Sequence, residues 1–406
     1  MPKAKFRADF PTEIIREGRI RAVVPKLEAY AKSPSDYAPS KAPVFYNPVM
    51  ELNRDLAVLA LQAYMKTVNH ELSVCEPLAS SGIRGVRFAA EVEGVEKVMV
   101  NDISKRAVQI AKHNVQMNRL EKKVVVKHED ANVLLSSYGA PRKRFDAIDV
   151  DPFGSPVPYV DSAVRALKDR GFIALTATDM APLCGVHPKA CIRKYGGKPL
   201  RTEYCHELAI RLLAGCLATV AAKHEIGIAA VFSHSAEHYI RLYATIKHGA
   251  KNTDESLRNM GYVLHCFRCF HRESFHGLAV VGHDGKCSEC GSKLSAAGPL
   301  WLGRLADRQF CELMEREAKQ MTLANSVKIE RILALAEGEL EGSVGYYVVD
   351  KLCDFLGLPV PAVKKVAEAI RNEGFEVSAT RFNPRGIKSD VPAVKLQRLL
   401  KEMMKA

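Results

Sequence analysis

The first two thirds of the chain alternate between short apolar runs and longer segments in which apolar residues recur at helical spacing. The short runs, which predict β-strands, are 72–75, 97–100, 124–126, 145–150 and 172–177. The helically spaced segments are 53–67, 83–92, 104–118, 158–168 and 209–223. Because strands separated by helix-length segments are typical of parallel sheets, the pattern predicts a doubly wound α/β fold.

Two further apolar runs, 226–233 and 239–247, follow the last of these helices and predict a pair of adjacent strands. From Gly261 to about Gly298 the composition changes to Cys, His, Phe and Gly. This change indicates a separate small module after the sheet.

The C-terminal part has a third pattern. Residues 304–341 have strongly helical spacing, and the glycines within 342–345 predict a hinge. Helix 361–373 is then followed by a basic extended segment, 375–382, a succession similar to that of a winged helix. We therefore expect three parts with the boundaries 1–260, 261–300 and 301–406.

The composition indicates an intracellular globular protein. The chain has 406 residues and 47% hydrophobic content, enough for two or three packed domains. We find no run of about 18 consecutive apolar residues, so a membrane span is not expected. The N-terminal residues lack the apolar core of a signal peptide, and the 11 cysteines are an odd number. We expect a reducing, cytoplasmic location.

The charge favours a polyanionic partner. The formal net charge is +13, and the excess is spread over the chain rather than confined to a tail. A basic surface attracts nucleic acid. General solubility is the alternative explanation for the same charge.

The segment 149–156 carries the most specific chemistry. It follows a predicted strand, so Asp151, Pro152 and Phe153 stand at the carboxyl end of the sheet, where open α/β folds bind ligands. An acid beside an aromatic ring suits a planar base with an amino group, because the acid accepts N–H bonds and the ring stacks. The alternative is a Pro-rich turn in which Asp151 only caps a helix.

Acids at neighbouring strand ends suggest a nucleoside cofactor. Asp102 ends the second strand and is placed to accept from ribose hydroxyls, and Asp130 follows the third strand, where it can accept from an adenine amino group. The loop 76–85 has small residues but no phosphate-binding glycine pattern, so a cofactor with a carboxylate fits it better. S-adenosylmethionine is such a cofactor, and Arg84 is a candidate partner for its carboxylate. Each acid alone could equally be a helix cap.

Four cysteines have the spacing of a zinc site. Cys266 and Cys269 form one Cys-x2-Cys pair, and Cys287 and Cys290 form another. Four thiolates hold Zn²⁺ tetrahedrally and leave no open position, so we expect a structural zinc. Gly291 provides the tight turn after the second pair.

Taken together, the motifs resemble one family. The segments that carry the resemblance are Phe45-Tyr46-Asn47-Pro48, Asn53-Arg54-Asp55, Ser80-Ser81-Gly82-Ile83-Arg84-Gly85, Asn101-Asp102, Asp151-Pro152-Phe153-Gly154-Ser155-Pro156, Thr176-Ala177-Thr178-Asp179-Met180-Ala181-Pro182-Leu183-Cys184-Gly185 and Gly298-Pro299-Leu300-Trp301-Leu302-Gly303. In this order they closely resemble tRNA (guanine-26-N2)-dimethyltransferases of the archaeal type, from about residue 6 to 390.

The resemblance implies a class I, Rossmann-like methyltransferase domain, a zinc-ribbon-like module and a C-terminal α+β domain that binds tRNA. It implies two successive methylations of the guanine amino group at position 26. The residues matching the family's S-adenosylmethionine contacts, with Pro152 beside them, are Arg54, Arg84, Asp102, Asp130, Ala131, Asp151 and Pro152. Phe45 and Phe153 match an aromatic pair that holds the target base, next to the catalytic Asp151. No membrane and no obligate protein partner are expected.

Basic residues of the C-terminal part are candidate phosphate contacts. They are Lys364, Lys365, Arg371, Arg381, Arg385 and Lys388. Three other functions stay open on the sequence alone: an adenine-N6 methyltransferase, a zinc and winged-helix regulator that binds DNA, and a nicotinamide dehydrogenase.

Overall fold

The structure, a computed structural model, describes residues 8–31, 38–236, 238–277, 284–340 and 342–404. The chain forms two compact units. The first unit comprises 1–152, 159–175 and 312–330, and the second comprises 153–158, 176–311 and 331–406.

The described strands are β1 (Thr12–Glu17), β2 (Ile20–Pro25), β3 (Leu72–Glu76), β4 (Val95–Asn101), β5 (Val124–Lys127), β6 (Phe145–Val150), β7 (Leu167–Ala177), β8 (Ile226–Ala236), β9 (Tyr239–His248), β10 (Met260–His265), β11 (Arg272–His276), β12 (Ser295–Trp301), β13 (Tyr347–Val348), β14 (Val377–Thr380) and β15 (Asn383–Ser389). The described α-helices are α1 (Glu51–Met65), α2 (Ile83–Glu91), α3 (Lys105–Met117), α4 (Ala131–Ser137), α5 (Val157–Arg165), α6 (Met180–Leu183), α7 (Pro188–Tyr195), α8 (Cys205–Ala222), α9 (Ala250–Leu257), α10 (Arg308–Ala318), α11 (Ser326–Gly338), α12 (Val349–Leu356), α13 (Val363–Asn372) and α14 (Ala393–Met403).

The first unit contains a parallel sheet in the order β5-β4-β3-β6-β7. The central strand β3 pairs with β4 and β6, so that Val74 lies opposite both Val98 and Ala147. The central strands β3 and β6 are almost entirely buried, as expected for a parallel sheet, and β7 begins at Leu167 rather than at Phe172. All their carboxyl ends therefore meet at one edge of the sheet.

An antiparallel hairpin, β1–β2, precedes this sheet and was not predicted. Its strand β2 packs on α3 through an apolar cluster that contains Val23, Ala107 and Ile110. The Asn114 side chain accepts from the Val23 N–H at 2.7 Å and donates to the Val23 carbonyl at 3.1 Å. The hairpin is thus held by tertiary contacts that sequence periodicity cannot reveal.

The second unit contains β8 and β9, the two adjacent strands that were predicted, and they pair antiparallel over most of their length. Helix α8 packs against them, and 72% of it is buried inside the protein. Within the described residues it is the one helix with the length and mean hydropathy of a membrane span, at 1.4, and its burial is typical of a core helix instead.

The cysteine-rich region forms a three-stranded antiparallel sheet in the order β11-β10-β12. The C-terminal region forms a second small sheet, β13-β15-β14, packed with α12, α13 and α14 around one apolar core. Helix α13 and the extended segment that contains β14 were predicted, whereas β15, α12 and α14 were not. The division of the chain at 260 and 300 stays a prediction.

Candidate active site

The loop between β3 and α2 approaches the sheet closely. Ser80 and Gly82 have φ angles of +48° and +73°, which turn the chain sharply before the helix begins. A Cβ atom at Gly85 would lie 2.5 Å from Val100 Cγ2 and 2.8 Å from Glu76 Oε2. Glycine is therefore required at Gly85 for α2 to pack this closely on β3 and β4. The N–H groups at the start of α2 then face the edge of the sheet at which the strands end, which we call the rim.

Asp102 organises this loop. Its Oδ2 accepts the Ser80 N–H at 2.7 Å, and its Oδ1 accepts the Ser104 N–H at 2.8 Å. The Ser80 hydroxyl in turn donates to the Phe45 carbonyl at 2.9 Å. The structure thus brings together Phe45, the cofactor loop and Asp102, which the sequence predicts as one site.

Asn101 links three strand ends and was missed as a functional candidate. Its buried Nδ2 donates to the carbonyls of Pro77 and Glu129, both at 3.0 Å, and its Oδ1 accepts the Glu129 N–H at 3.1 Å. A buried amide that satisfies three backbone groups fixes the spacing of the loops beyond β3, β4 and β5. In the sequence, the only sign of a role for Asn101 was its position beside Asp102 in the motif Asn101-Asp102.

Asp130 is the N-cap of α4, and Ala131 is the buried first residue of that helix. Asp130 Oδ1 accepts the N–H groups of Asn132 and Val133 at 2.8 and 3.1 Å. The capping role, which the sequence left open as an alternative, is therefore present. It is compatible with a ligand role because a carboxylate offers about four acceptor positions.

Asp151 stands at the end of β6 and is held by Arg84. Arg84 Nη2 donates to Asp151 Oδ2, and the two side chains are 5% and 19% exposed. The same guanidinium lies 3.6 Å (Nε) from Glu76 Oε1 and 3.8 Å (Nη1) from Asp149 Oδ2. One buried cation thus faces three carboxyl groups.

Glu76 relieves this excess of negative charge. Burial, with smaller contributions from Asp149 and Asp151, raises the pKa of Glu76 to about 8 against the lowering effect of Arg84. Its Oε2 also accepts the Gly85 N–H at 2.8 Å. Glu76 is therefore mainly protonated at neutral pH, which leaves the Arg84 charge to Asp149 and Asp151.

Arg54 is bound within the protein. Its Nε and Nη2 donate to the two oxygens of Glu17, each at 2.6 Å, and Nη1 donates to the Asn47 carbonyl at 3.3 Å. Burial opposes ionisation of Glu17, but Arg54 and Arg87 outweigh it and lower the pKa of Glu17. The guanidinium stands one turn into α1, close in sequence to the Phe45 segment that it supports.

Phe153, the first residue of the second unit after Pro152, is 71% exposed. The Gly154 N–H donates to the Thr178 hydroxyl at 2.7 Å, and the Thr178 N–H donates back to the Gly154 carbonyl at 2.9 Å. The segment after Phe153 is thus fixed to the segment that contains Thr178, the other specific motif of the sequence. An exposed ring next to a fixed backbone segment is suited to stacking.

The four cysteines meet as predicted. All their Sγ atoms lie within 4.8 Å of one another, with Cys266 3.5 Å from Cys290 and Cys269 3.5 Å from Cys287. A tetrahedral zinc with Zn–S bonds near 2.3 Å requires sulfurs about 3.8 Å apart, so the quartet fits zinc.

The turn after each cysteine pair is left-handed. Gly291 has φ +71°, as expected for the second pair, and the matching residue after the first pair, Phe270, has φ +65°. The sequence gave no sign of the turn at Phe270, because glycine is the usual residue in that conformation.

Two of the six predicted phosphate contacts are corrected. Lys388 is buried and its Nζ lies 2.8 Å from Glu207 Oε2, and the Arg381 side chain is 3% exposed and pairs with Glu339 at 3.2 Å. Their charges neutralise buried acids and do not face solvent. Lys364, Lys365 and Arg371 on α13 are exposed, and Arg385 is half-exposed beside Asp350.

Comparison with known proteins gives a consistent result. A family model of N2,N2-dimethylguanosine tRNA methyltransferases matches residues 18–401. The chain is 40% identical over 390 residues to the tRNA (guanine(26)-N(2))-dimethyltransferase of Methanosphaera stadtmanae, covering 96% of each chain. It is 35% identical over 394 residues to the Aquifex aeolicus protein named tRNA (guanine(26)-N(2)/guanine(27)-N(2))-dimethyltransferase, again covering 96% of each.

A solved structure is also similar over almost the whole length. It is that of Trm1 from Pyrococcus horikoshii in complex with S-adenosyl-L-methionine, with a TM-score of 0.83 and 34% identity, covering 96% of this chain and 99% of that one. This likeness confirms the predicted Rossmann-like α/β class.

Proposed function

We infer how this protein acts from the premise that the chain belongs to the N2,N2-dimethylguanosine tRNA methyltransferase family. It is an S-adenosylmethionine-dependent enzyme that transfers methyl groups to the exocyclic N2 of guanine at position 26 of tRNA, giving the N2-methyl and then the N2,N2-dimethyl nucleoside. The observation that carries the mechanism is the Asp151 carboxylate, fixed by buried Arg84 at the carboxyl end of β6 and followed directly by an exposed aromatic ring.

The rim of the first unit would hold the cofactor, which supplies the electrophilic methyl group when bound. Asp102 accepts from the ribose hydroxyls, because its two loop bonds use only part of its acceptor capacity. Asp130 and Ala131, at the start of α4, bind the adenine, and Arg54 and Pro152 complete the contacts. The N–H groups at the start of α2 favour the carboxylate end. Arg84, whose charge is compensated by Asp149 and Asp151, holds Asp151 in position.

Asp151 would orient the amine. The N2 lone pair of guanine is delocalised into the ring, so a carboxylate that accepts one N–H favours a lone pair directed at the methyl carbon. The backbone carbonyl at Pro152 accepts the second N–H during the first methylation. Since the displacement is in line, the main contribution of these residues is position, and Asp151 takes the proton late.

Phe45 and Phe153 would replace the stacking that an extruded base loses. The Phe45 backbone is fixed by Ser80, and the segment after Phe153 is fixed by Thr178. Each aromatic contact with a base contributes about 1–3 kcal/mol.

The remaining parts would serve tRNA binding. The cysteine quartet holds a structural zinc, and the C-terminal part, 301–406, contacts the phosphate backbone through the exposed face of α13, with Lys364, Lys365 and Arg371. These contacts add affinity without reading sequence. We expect the enzyme to act in the cytoplasm.

The test is the Asp151→Asn variant, assayed with labelled S-adenosylmethionine and unmodified tRNA. We expect turnover to fall by about 100-fold or more, because the variant loses the carboxylate that orients the amine, while calorimetry finds S-adenosylmethionine binding largely retained. Asp161→Asn, at an exposed helical ion pair, is the matched control and should retain full turnover. Near-normal turnover of Asp151→Asn would remove Asp151 from this role.

Mapping the labelled nucleoside tests the substrate separately. Label in N2-methyl- and N2,N2-dimethylguanosine at position 26 is the expected result. Label in N6-methyladenosine would instead support the adenine-N6 alternative, and label at position 27 would extend the substrate range.

A further inference from the structure

A second cluster of metal-ligating side chains lies in the second unit, apart from the cysteine quartet. The Sγ atoms of Cys184 and Cys205 and a ring nitrogen of His206 all lie within 4.8 Å of one another, and each residue is partly buried. The thiols of Cys184 and Cys205 are hydrogen-bonded to each other. No step of the proposed methyl transfer uses these three residues.

The backbone holds the cluster in place. Cys184 ends the short helix α6, and Cys205 and His206 are the first two residues of the buried helix α8. Between them, Gly185 has φ +85°, and a Cβ there would lie 2.7 Å from the Arg201 backbone nitrogen. Because Gly185 has no side chain, the turn after Cys184 packs directly against the backbone at Arg201, in the segment that leads into α8. This close packing brings Cys184 near Cys205 and His206.

An acid with a buried oxygen atom precedes two of these ligands along the chain. Glu203 lies two residues before Cys205, and its buried Oε1 has no hydrogen-bond partner within the described parts of the chain. A buried carboxylate oxygen without a partner is costly unless a ligand satisfies it. A metal-bound water would provide the missing hydrogen.

We propose that Cys184, Cys205 and His206 bind a second zinc ion, with water in the fourth position. Two thiolates and an imidazole select a soft or borderline ion such as Zn²⁺, and tetrahedral bonds of about 2.0–2.3 Å require the ligand atoms to approach one another by only about 1 Å. On binding, each thiol loses its proton to solvent and the sulfur lone pair forms the bond to the metal. The ion fastens the end of α6 to the start of α8.

A metal ion at this position would also affect the segment that holds Gly154, next to Phe153. Residues 178–184 run from Thr178, which is hydrogen-bonded to Gly154 in both directions, to Cys184 at the proposed metal. The ion therefore anchors the far end of the segment that fixes Gly154. Its role is positional, since none of its ligands is placed at the reacting atoms.

The test is the zinc content of the protein purified under reducing conditions without chelators, measured by plasma mass spectrometry. We expect two equivalents per chain in the unaltered protein and one each in Cys205→Ser, His206→Gln and Cys287→Ser. Cys216→Ser, which changes a buried cysteine outside both clusters, should retain two. Replacement by Co²⁺ gives a thiolate charge-transfer band, which Cys205→Ser should reduce and Cys216→Ser should not.

Two results would overturn the proposal. One is a single equivalent of zinc in the unaltered protein that disappears in Cys287→Ser. The other is an intact mass two hydrogens lower than expected with a Cys184–Cys205 cross-link in the freshly purified protein, which would make the pair a disulfide. Both readouts use metal content or mass, so they are independent of methyl transfer, and the measurement on the unaltered protein decides even where a variant fails to fold.

Discussion

At the residue scale, the site depends on how one guanidinium is shared. Arg84 lies near Glu76, Asp149 and Asp151, and a single positive charge cannot compensate three negative ones at low dielectric. Protonation of Glu76 resolves this imbalance and leaves Asp151 with a charged partner. Asp151, which the sequence predicts to be catalytic, thus depends on the protonation of Glu76, for which the sequence predicts no role.

The raised pKa of Glu76 predicts a pH dependence of stability. In the unfolded chain Glu76 ionises near pH 4.5, whereas in the folded protein its pKa is about 8. The folded state therefore holds one more proton between these values, and its free energy of unfolding falls as pH rises, by about 1.4 kcal/mol per pH unit from this group. Glu76→Gln should lose this part of the slope between pH 5 and 8 in urea unfolding.

A matched control for this measurement is Glu96→Gln, which changes an exposed acid on β4 and should keep the full slope. If Glu76→Gln and the unaltered protein had parallel profiles, Glu76 would be ionised throughout and the charge balance at Arg84 would need another explanation.

Phe153 is expected to act on RNA rather than on the cofactor. Phe153→Leu removes the ring but keeps an apolar side chain, so we expect kcat/KM for tRNA to fall about 5- to 150-fold, the equivalent of one stacking contact. S-adenosylmethionine binding, measured by calorimetry, should stay unchanged. Phe355→Leu, the same change at another exposed ring (52%), is the matched control, and an equal loss in both variants would argue against stacking at Phe153.

The sequence predicted local features of the site well and distant ones poorly. Asp151 and Phe153 stand in one continuous motif, and Asp102 directly follows its own strand β4, so their order along the chain was enough. The partner of Arg54 is Glu17, 37 residues away on a hairpin that no periodicity indicated. Such pairings depend on tertiary packing, which a single sequence does not contain.

At the element scale, strand β15 illustrates why the C-terminal fold was only partly predicted. Its sequence contains Pro384, Gly386 and Lys388, a composition typical of a loop. The structure needs that glycine, because a Cβ at Gly386 would lie 2.5 Å from Thr380 Cγ2 on the paired strand. Strands β3 and β6, which are almost entirely buried, were predicted without difficulty, although each carries acidic residues as well as apolar ones.

The buried charge on β15 also predicts a large effect on stability. Burial opposes ionisation of Glu207, but Lys388 and Arg211 outweigh it and lower the pKa of Glu207 to about 2. Lys388→Met would leave this carboxylate buried with one partner fewer, at a cost of about 3–5 kcal/mol in the free energy of unfolding. Chemical denaturation measures this cost directly.

The control for that change is Lys395→Met. Lys395 pairs with Glu373 at 3.1 Å, but both side chains are about 40% exposed, at 39% and 43%. An exposed pair contributes at most about 1 kcal/mol. Equal losses in the two variants would contradict a structural role for Lys388 and would reopen its assignment to phosphate binding.

At the scale of the whole molecule, the cysteine module and the C-terminal region are joined inside the second unit. Glu289, between two residues of the second cysteine pair, accepts the N–H groups of Ala393 and Val394 at 3.1 and 2.7 Å. Gln397 donates to the Cys269 carbonyl at 2.8 Å. The composition change near Gly298 indicated where the module ends, but it could not reveal that Glu289 of the module caps a helix that begins 104 residues later in the chain.

This link predicts what removal of the quartet zinc would change. The carboxylate of Glu289 is placed by the knuckle that Cys287 and Cys290 form, and a carboxylate at a helix N-terminus stabilises the helix. Cys287→Ser, or chelation of the metal, should therefore accelerate amide hydrogen exchange at Ala393 and Val394 by about tenfold or more, a loss near 1.4 kcal/mol. Amides of β3, in the first unit, should exchange at unchanged rates.

The variant Glu289→Gln distinguishes the effect of losing the metal from the effect of losing the carboxylate that caps α14. It keeps all four thiolates, so its zinc content should equal that of the unaltered protein, while the loss of the negative charge weakens the cap and accelerates exchange at the same two amides to a smaller degree. Unchanged protection at Ala393 and Val394 after metal loss would mean that α14 is held by its apolar core alone, through residues such as Leu396 and Leu400. The zinc would then stabilise only its own module, and its contribution to tRNA binding would have to come from the module surface rather than from support of the C-terminal helices.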